Sequence, residues 1–120
     1  IKMIGCLMPP YAFSSPTISA VLASLTPAAQ AEMQDRVIVI RNERDRMAAA
    51  LRTLPGITKV YPSDANFILV AAQDADRCMA LAREGGVLLR NFGQQLPGCL
   101  RITVGDPDEN NQLLKSLAEL

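Results

Sequence analysis

The sequence predicts an α+β fold, in which a small, mostly antiparallel sheet has helices packed on one face and is preceded by a long helix. Two observations predict it. Apolar residues recur at helical spacing up to Leu54, and after Pro55-Gly56 the pattern changes to short runs with the alternation of strands. The chain has 120 residues, 49% of them apolar, which is enough for the core of one globular domain.

Two helix-start signals, each a hydroxyl residue followed by proline, lie in the first half of the chain. Ser15-Pro16 predicts a short helix with Ser15 as its N-cap. Thr26-Pro27 predicts a second helix that runs to about Thr53 and is about 40 Å long. Its apolar stripe, interrupted only at Arg44, is Met33, Val37, Ile40, Met47, Leu51 and Leu54. The charged residues on its other faces, Glu43 among them, are predicted to be solvated.

The second half predicts four strands and two helices. The strands are predicted at residues 57–61, 66–72, 87–90 and 99–104. Asp74 can cap a helix that ends at Glu84, before Gly85-Gly86. Asp106-Pro107, with an acid at Glu109, predicts a capping box at the start of the last helix.

Composition excludes several classes of function. Twelve basic residues balance twelve acidic ones, so no net field would attract nucleic acid or an anionic membrane. The absence of His excludes His-activated nucleophiles and His-ligated metal sites, and no metal site is predicted. No apolar run reaches the roughly 18 residues that a membrane span requires, and the N-terminus lacks the basic, apolar and small-residue order of a signal peptide. With three cysteines that show no paired spacing, we expect a soluble, cytoplasmic protein.

Arg101 and Arg90 are the candidate ligand-binding residues. Alternation in the last strand directs Leu100 and Ile102 to one face and Arg101 to the other. A hairpin with Arg90 opposite Cys99 would make the two arginines diagonal neighbours, roughly 7 Å apart at Cβ. Such a pair repels unless an anion lies between the guanidinium groups, which match carboxylate or phosphate well. The pattern alone nevertheless favours ordinary surface ion pairs.

Other candidates are weaker. Tyr11 is either a packing anchor or the wall of a cleft. Asn66 is predicted to close an Asx turn rather than to contact a substrate. The lysines, Lys2, Lys59 and Lys115, lack the desolvating apolar setting that suits a Schiff base. The residues themselves therefore indicate no nucleophile and no general base.

Four segments resemble the C-terminal third of histidinol-phosphate aminotransferases, which are fold-type I pyridoxal-phosphate enzymes. The segments are residues 10–14 (PYAFS), 63–70 (SDANFILV), 86–92 (GVLLRNF) and 99–105 (CLRITVG), the last followed by an acidic helix start. Their order and gaps match along essentially the whole chain. Two departures, Ala12-Phe13 after the tyrosine and a short loop at 94–97, bear on substrate preference rather than on the family.

The resemblance implies three parts: residues 1–10 end the large domain, 11–54 form an interdomain helical segment, and 55–120 form the small C-terminal domain. It implies a homodimeric transaminase of histidine biosynthesis that uses pyridoxal 5'-phosphate, histidinol phosphate and 2-oxoglutarate. Arg101 and, with less weight, Arg90 would bind the acidic group of the substrate. Tyr11 and Ser14 match a loop at the domain junction, and with Asn66 they are expected at the cleft or dimer interface.

The resemblance also implies that the Schiff-base lysine and the cofactor ligands lie upstream, in the large domain. The chain begins at Ile1 within an apolar stretch, so we expect a fragment with no catalytic residue, no bound cofactor and no activity of its own. Apolar surface on the long helix and on residues 1–8 would then favour non-native self-association.

Two alternatives stay open. Threonine-phosphate decarboxylase and other pyridoxal-phosphate aminotransferases share the architecture. A stand-alone α+β regulatory module that binds an amino acid at its sheet would also explain the missing catalytic groups, although the opening apolar segment argues against it.

Overall fold

The computed structural model describes residues 13–120, and its elements follow the predicted order of helix, long helix, strand, strand, helix, strand, strand, helix. Their bounds are α1 Ser15–Ser24, α2 Pro27–Leu51, β1 Ile57–Val60, β2 Phe67–Ala72, α3 Ala75–Glu84, β3 Arg90–Asn91, β4 Cys99–Thr103 and α4 Pro107–Leu117. This confirms the α+β class. The chain divides into two compact units after Arg36. The domain boundaries at residues 10 and 54 stay a prediction.

The described part of the first unit contains α1 and the start of α2. Ser14, not Ser15, is the N-cap of α1, and its Oγ accepts the backbone N–H of Thr17 at 3.4 Å. The cap lies one residue earlier than predicted because the second position of a helix also tolerates Pro16, whose missing N–H would have no helical partner there. No residue of α1 is buried.

The second unit, residues 37–120, is built on a four-stranded sheet with the order β1-β2-β4-β3, antiparallel throughout. Exposure alternates along β2, where Ile68, Val70 and Ala72 are buried and their neighbours are not. Residues two apart in a strand share a face, so these side chains line one side of the sheet. Leu100 and Ile102 of β4 extend the same apolar face.

Three helices cover that face. The buried side chains that they contribute to the core are Met47 and Leu51 from α2, Cys78 and Ala82 from α3, and Leu113 and Leu117 from α4. The predicted one-sided packing is therefore confirmed for this unit.

Local sequence signals determine both helix starts in this unit. Asp74 caps α3 by accepting the backbone N–H of Arg77 at 2.8 Å. Asp106 and Glu109 form the predicted capping box at α4, with backbone-to-carboxylate distances of 2.9 and 3.1 Å. Such caps satisfy the N–H groups that a first helical turn leaves free.

The strand predicted at residues 87–90 is shorter than expected and comprises only Arg90–Asn91. The backbone of the preceding residues completes the end of α3 instead: Gly86 has a φ of 79°, and the N–H of Val87 donates to the carbonyl of Ala82 at 2.8 Å. This hydrogen-bonded C-cap delays the extended segment. Leu88 consequently lies outside any strand and is 82% exposed.

Candidate anion-binding site

Arg90 and Arg101 lie directly opposite each other in the antiparallel pair of β3 and β4. The predicted register, with Arg90 opposite Cys99, is wrong. Phe92 occupies that position, and its N–H donates to the carbonyl of Cys99 at 3.4 Å, so Arg90 pairs two residues further along β4. Directly opposed residues share one face with Cβ atoms about 5 Å apart, closer than the diagonal arrangement.

This pair lies on the sheet face opposite to the one that the helices of residues 37–120 cover, which we call the open face. Leu100 and Ile102 belong to the core, so by alternation Arg101 lies on the opposite side of β4. The four strands contain three basic residues and no acidic residue. The third basic residue, Lys59, pairs with Ala71, which also lies on the side away from the core. The open face is therefore positively charged.

Aromatic rings support both guanidinium groups. The Cζ of Arg101 lies 5.4 Å from the centroid of the Phe67 ring, and the Cζ of Arg90 lies 5.4 Å from that of Phe92. Phe67 pairs with Thr103, so it belongs to the same face as Arg101. Contact with a ring restrains a guanidinium group while its N–H donors stay free for an anion.

Arg101 has an unsatisfied donor. Its Nε is buried, and no atom of residues 13–120 accepts a hydrogen bond from it. The ion pairs in this range join Glu32 to Arg36, Glu43 to Arg46, and Arg44 to Asp45. Neither Arg90 nor Arg101 therefore has an ion-pair partner in the described part of the chain. An unpaired buried donor costs about 1–3 kcal/mol, which a bound acceptor would remove.

The remaining predicted site residues do not all join this pair. Ser14 is an exposed helix cap in the first unit, and Tyr11 lies outside the described residues. Asn66 is exposed just before β2, and its carbonyl accepts the N–H of Val104 at 2.9 Å. The predicted Asx turn at Asn66 is wrong, because the hydroxyl of Ser63 makes the side-chain hydrogen bonds of the turn before β2.

Glu43 was predicted to be solvated, and this is wrong. Its side chain is buried and accepts two hydrogen bonds from Arg46, at 2.9 and 2.6 Å, and one from Asn110 at 2.8 Å. A sequence signal existed, because position 43 lies three residues after Ile40 and four before Met47, on the apolar stripe of α2. The spacing alone did not indicate the partner, Asn110.

This network has electrostatic consequences. The hydrogen bonds from Arg46 and then from Asn110 lower the pKa of Glu43, against the opposing effect of burial. The same carboxylate raises the pKa of Arg46. Both groups therefore carry full charge at neutral pH, the carboxylate of Glu43 being buried and the guanidinium group of Arg46 exposed.

The described residues offer few groups for chemistry other than anion binding. Within residues 13–120 no group of His, Cys, Asp and Glu could hold a metal ion, and no helix is both long and apolar enough to cross a membrane. Cys78 and Cys99 are buried free thiols, and burial raises the pKa of Cys78. Such thiols are poor nucleophiles. What the described geometry offers is a pair of neighbouring guanidinium groups, a side-chain type that matches carboxylate and phosphate.

Comparison with known proteins identifies the class. The sequence model of the family "Aminotransferase class I and II" matches residues 2–117, so the chain belongs to that family. Within the family it is similar to enzymes named histidinol-phosphate aminotransferase. That of Xylella fastidiosa is 39% identical over 113 residues, and that of Flavobacterium psychrophilum is 36% identical. The two alignments cover 92% and 100% of this chain but only 31% and 34% of those proteins.

A solved structure supports the fold. The L-threonine-O-3-phosphate decarboxylase of Porphyromonas gingivalis superposes with a TM-score of 0.71 at 27% identity, over 98% of this chain and 37% of that one. The chain thus spans about a third of the length of the relatives that it matches.

The family implies pyridoxal phosphate as the cofactor. The described residues do not form a site that could hold it covalently. Covalent attachment needs an amine that is desolvated or beside another cation. Lys59 and Lys115 are both exposed, and the ammonium of Lys59 lies 4.5 Å from the centroid of the Tyr61 ring. The described residues therefore provide no amine suited to covalent attachment of the cofactor.

Proposed function

We propose that this chain is the C-terminal part of a histidinol-phosphate aminotransferase and that it binds the acidic end of the substrate. The observation that carries the proposal is the pair Arg90 and Arg101, with a buried Nε on Arg101 that lacks an acceptor. The names of the relatives at 36–39% identity supply the reaction class. The amino group would move from histidinol phosphate to 2-oxoglutarate, giving imidazole-acetol phosphate and glutamate.

The two substrates explain why two arginines are useful. One substrate carries a phosphate and the other carboxylates, and both must be bound by the same site in alternate half-reactions. A guanidinium group presents a planar set of donors that accepts either anion. Arg101, held against Phe67, supplies the fixed contact. Arg90 is exposed and opposite to it, so it can adjust to the size of the anion.

The proposal includes the wider organisation of the enzyme. Residues 1–10, 11–54 and 55–120 would be the end of the large domain, the interdomain helical segment and the small domain. Tyr11, Ser14 and Asn66 would lie near the cleft or the interface of a cytoplasmic homodimer. Pyridoxal phosphate would be held by the rest of the polypeptide, so the chain alone is expected to bind no cofactor and to have no activity.

Steady-state kinetics of the full-length polypeptide that contains this segment test the proposal. Arg101→Gln is expected to raise KM for both acidic substrates about 10- to 100-fold, because a charge-assisted contact is lost. In Arg101→Lys the KM values should be lower than in Arg101→Gln but still above those of the wild type. The reason is that a lysine cannot bind an anion with two parallel donors. Arg83→Gln, at an exposed position of α3, is the matched control. Unchanged KM values in Arg101→Gln would contradict the proposal.

A second candidate is a threonine-phosphate decarboxylase, favoured by the superposition on the enzyme of that name. The arginine pair would bind its phosphate equally well. The two functions differ in products, because a decarboxylase releases CO₂ and a transaminase forms glutamate from 2-oxoglutarate. Assaying the full-length protein for both products with both substrates separates them. Anion binding without either product would instead favour a regulatory module.

A further inference from the structure

A single side chain, Asn110, holds the segment that follows β4. Its Oδ1 accepts the N–H of Gly105 at 3.0 Å, and its Nδ2 donates to the carbonyl of the same residue at 3.0 Å. The Nδ2 also donates to Oε2 of Glu43 at 2.8 Å. Asn110 is buried, so these hydrogen bonds replace contacts with water. One amide group thus connects the end of β4 to helix α2.

The orientation of that amide is determined by charge. Because the carboxylate of Glu43 can only accept hydrogen bonds, the NH₂ group of Asn110 must face it and the amide oxygen must face the N–H of Gly105. Arg46 holds the carboxylate in turn with two hydrogen bonds. We define Arg46, Glu43, Asn110 and Gly105 as the β4 clamp.

The clamp acts close to the anion-binding pair. Gly105 follows Arg101 by four residues in the same extended segment. Between them, the backbone N–H of Val104 donates to the carbonyl of Asn66 at 2.9 Å. The pairing of β3 with β4 comprises only two residues, so it restrains the position of β4 weakly. β4 pairs with β2 at five positions, with Leu69 opposite Arg101, and the clamp holds the chain just beyond the last of these pairs, so both contacts position the strand that carries Arg101.

The use of an ion pair at this position also needs a reason. Removing a carboxylate from water costs free energy that its hydrogen-bond partners must offset, and apolar residues of similar volume often stabilise a core at least as well. Met47 and Leu51, on the same stripe of α2, show that apolar packing is available there. What an apolar side chain cannot do is hold Asn110 in one orientation.

We propose that Glu43 and Asn110 are positioning residues for anion recognition, acting through Gly105 on the strand that carries Arg101. This inference rests on the proposed role of the arginine pair. It predicts that disturbing the clamp weakens the binding of acidic substrates while the fold persists.

The test compares three variants in the full-length polypeptide. Asn110→Asp places a second carboxylate against Glu43 and is expected to raise KM for both acidic substrates about three- to tenfold, with kcat within about twofold. Glu43→Gln alone keeps an acceptor for Asn110 and should have the smaller effect. The double variant Glu43→Gln/Asn110→Asp restores a donor opposite an acceptor and should recover part of the KM. Glu32→Gln, which breaks the exposed Glu32–Arg36 pair of the same helix, is the control.

Hydrogen exchange and phosphate titration make the result independent of turnover. The amide of Gly105 should exchange faster in Asn110→Asp than in the wild type, and the double variant should recover protection. If the wild-type protein shows no transamination, the proposed function fails, and the affinity for inorganic phosphate, measured at constant ionic strength, then replaces KM. Faster exchange at Gly105 with unchanged KM and unchanged phosphate affinity would overturn the inference, as would an equal rise in Glu32→Gln.

Discussion

The guanidinium groups of Arg90 and Arg101 extend from directly opposed positions of an antiparallel strand pair, on a sheet face whose strands contain no acidic residue. Each group rests on its own aromatic ring, Phe92 for Arg90 and Phe67 for Arg101. Two like charges in this arrangement destabilise the pair by themselves, and an anion between them reverses that effect. Because of this pairing of like charges, the free energy of unfolding depends on the anion that is present.

Phosphate should therefore stabilise the protein through both arginines. At ten times its dissociation constant, a ligand that binds only the folded state adds about 1.4 kcal/mol to the free energy of unfolding. We expect this increase in the wild type and little of it in Arg90→Gln or Arg101→Gln, measured by thermal unfolding at constant ionic strength. Arg83→Gln should behave as the wild type. A full phosphate effect in Arg90→Gln would show that the pair does not act together.

Acid should weaken the contribution of Glu43 to stability. The pKa of Glu43 is lowered in the folded state, first by Arg46 and then by Asn110, so its stabilising effect is complete above the pKa of the unfolded chain. That effect is lost as the pH falls through the folded pKa. Urea unfolding from about pH 7 to pH 3 should show Glu43→Gln less stable than the wild type at neutral pH, with the difference shrinking in acid. A difference that stays constant with pH would contradict this explanation.

Truncating the core should be costly, whereas truncating the exposed segment before β3 should not. Leu117 is buried beneath the sheet, and Leu88 is 82% exposed. Leu117→Ala is expected to lower the free energy of unfolding by about 2–5 kcal/mol, and Leu88→Ala by less than about 0.5 kcal/mol. Denaturant titration measures both. Equal losses would mean that the helices do not cover the sheet face that carries Ile102.

The cap of α4 should contribute measurably to stability. Asp106→Ala removes the acceptor for the N–H of Glu109 and is expected to cost about 1 kcal/mol. Asp108→Ala, in the first turn but outside the capping box, should cost clearly less. The two variants differ by two positions in the same turn, so their difference in denaturant midpoint isolates the cap. A larger loss of stability in Asp108→Ala than in Asp106→Ala would contradict the assignment of Asp106 as the N-cap of α4.

The isolated chain should self-associate through α1. The large apolar side chains of this helix and of its C-cap, Leu25, are about half exposed or more: Ile18 48%, Val21 50%, Leu22 62% and Leu25 58%. An apolar helix face of this kind is normally covered by another surface. Sedimentation should show association that increases with concentration and decreases in Leu22→Glu, while Leu96→Glu in the loop before β4 leaves it unchanged. A monomer at high concentration in the unmodified chain would contradict the prediction.

The sequence predicted most of the local structure, and particular residues show why. Asp74 and Asp106 cap their helices within three residues, so the signal and its effect lie together in the chain. The alternation of Leu100, Arg101 and Ile102 likewise assigns faces without knowledge of the partner strand. Ser14 and Ser15 show the limit of such signals, because two adjacent hydroxyl residues can both serve as a cap and the position of Pro16 is acceptable with either.

By itself, then, the sequence determined the α+β class, the order of the elements, the caps of α3 and α4, and the side of β4 on which Arg101 lies. Only the tertiary structure decided that Arg90 faces Arg101 directly, because the end of α3 and the loop after Phe92 together determine where the strands meet. It also decided that Glu43 is buried, since one of the two partners that satisfy its carboxylate, Asn110, lies 67 residues away. Capping signals act within one helical turn. The register of paired strands and the pairing of buried charges depend instead on segments that meet only in the folded chain.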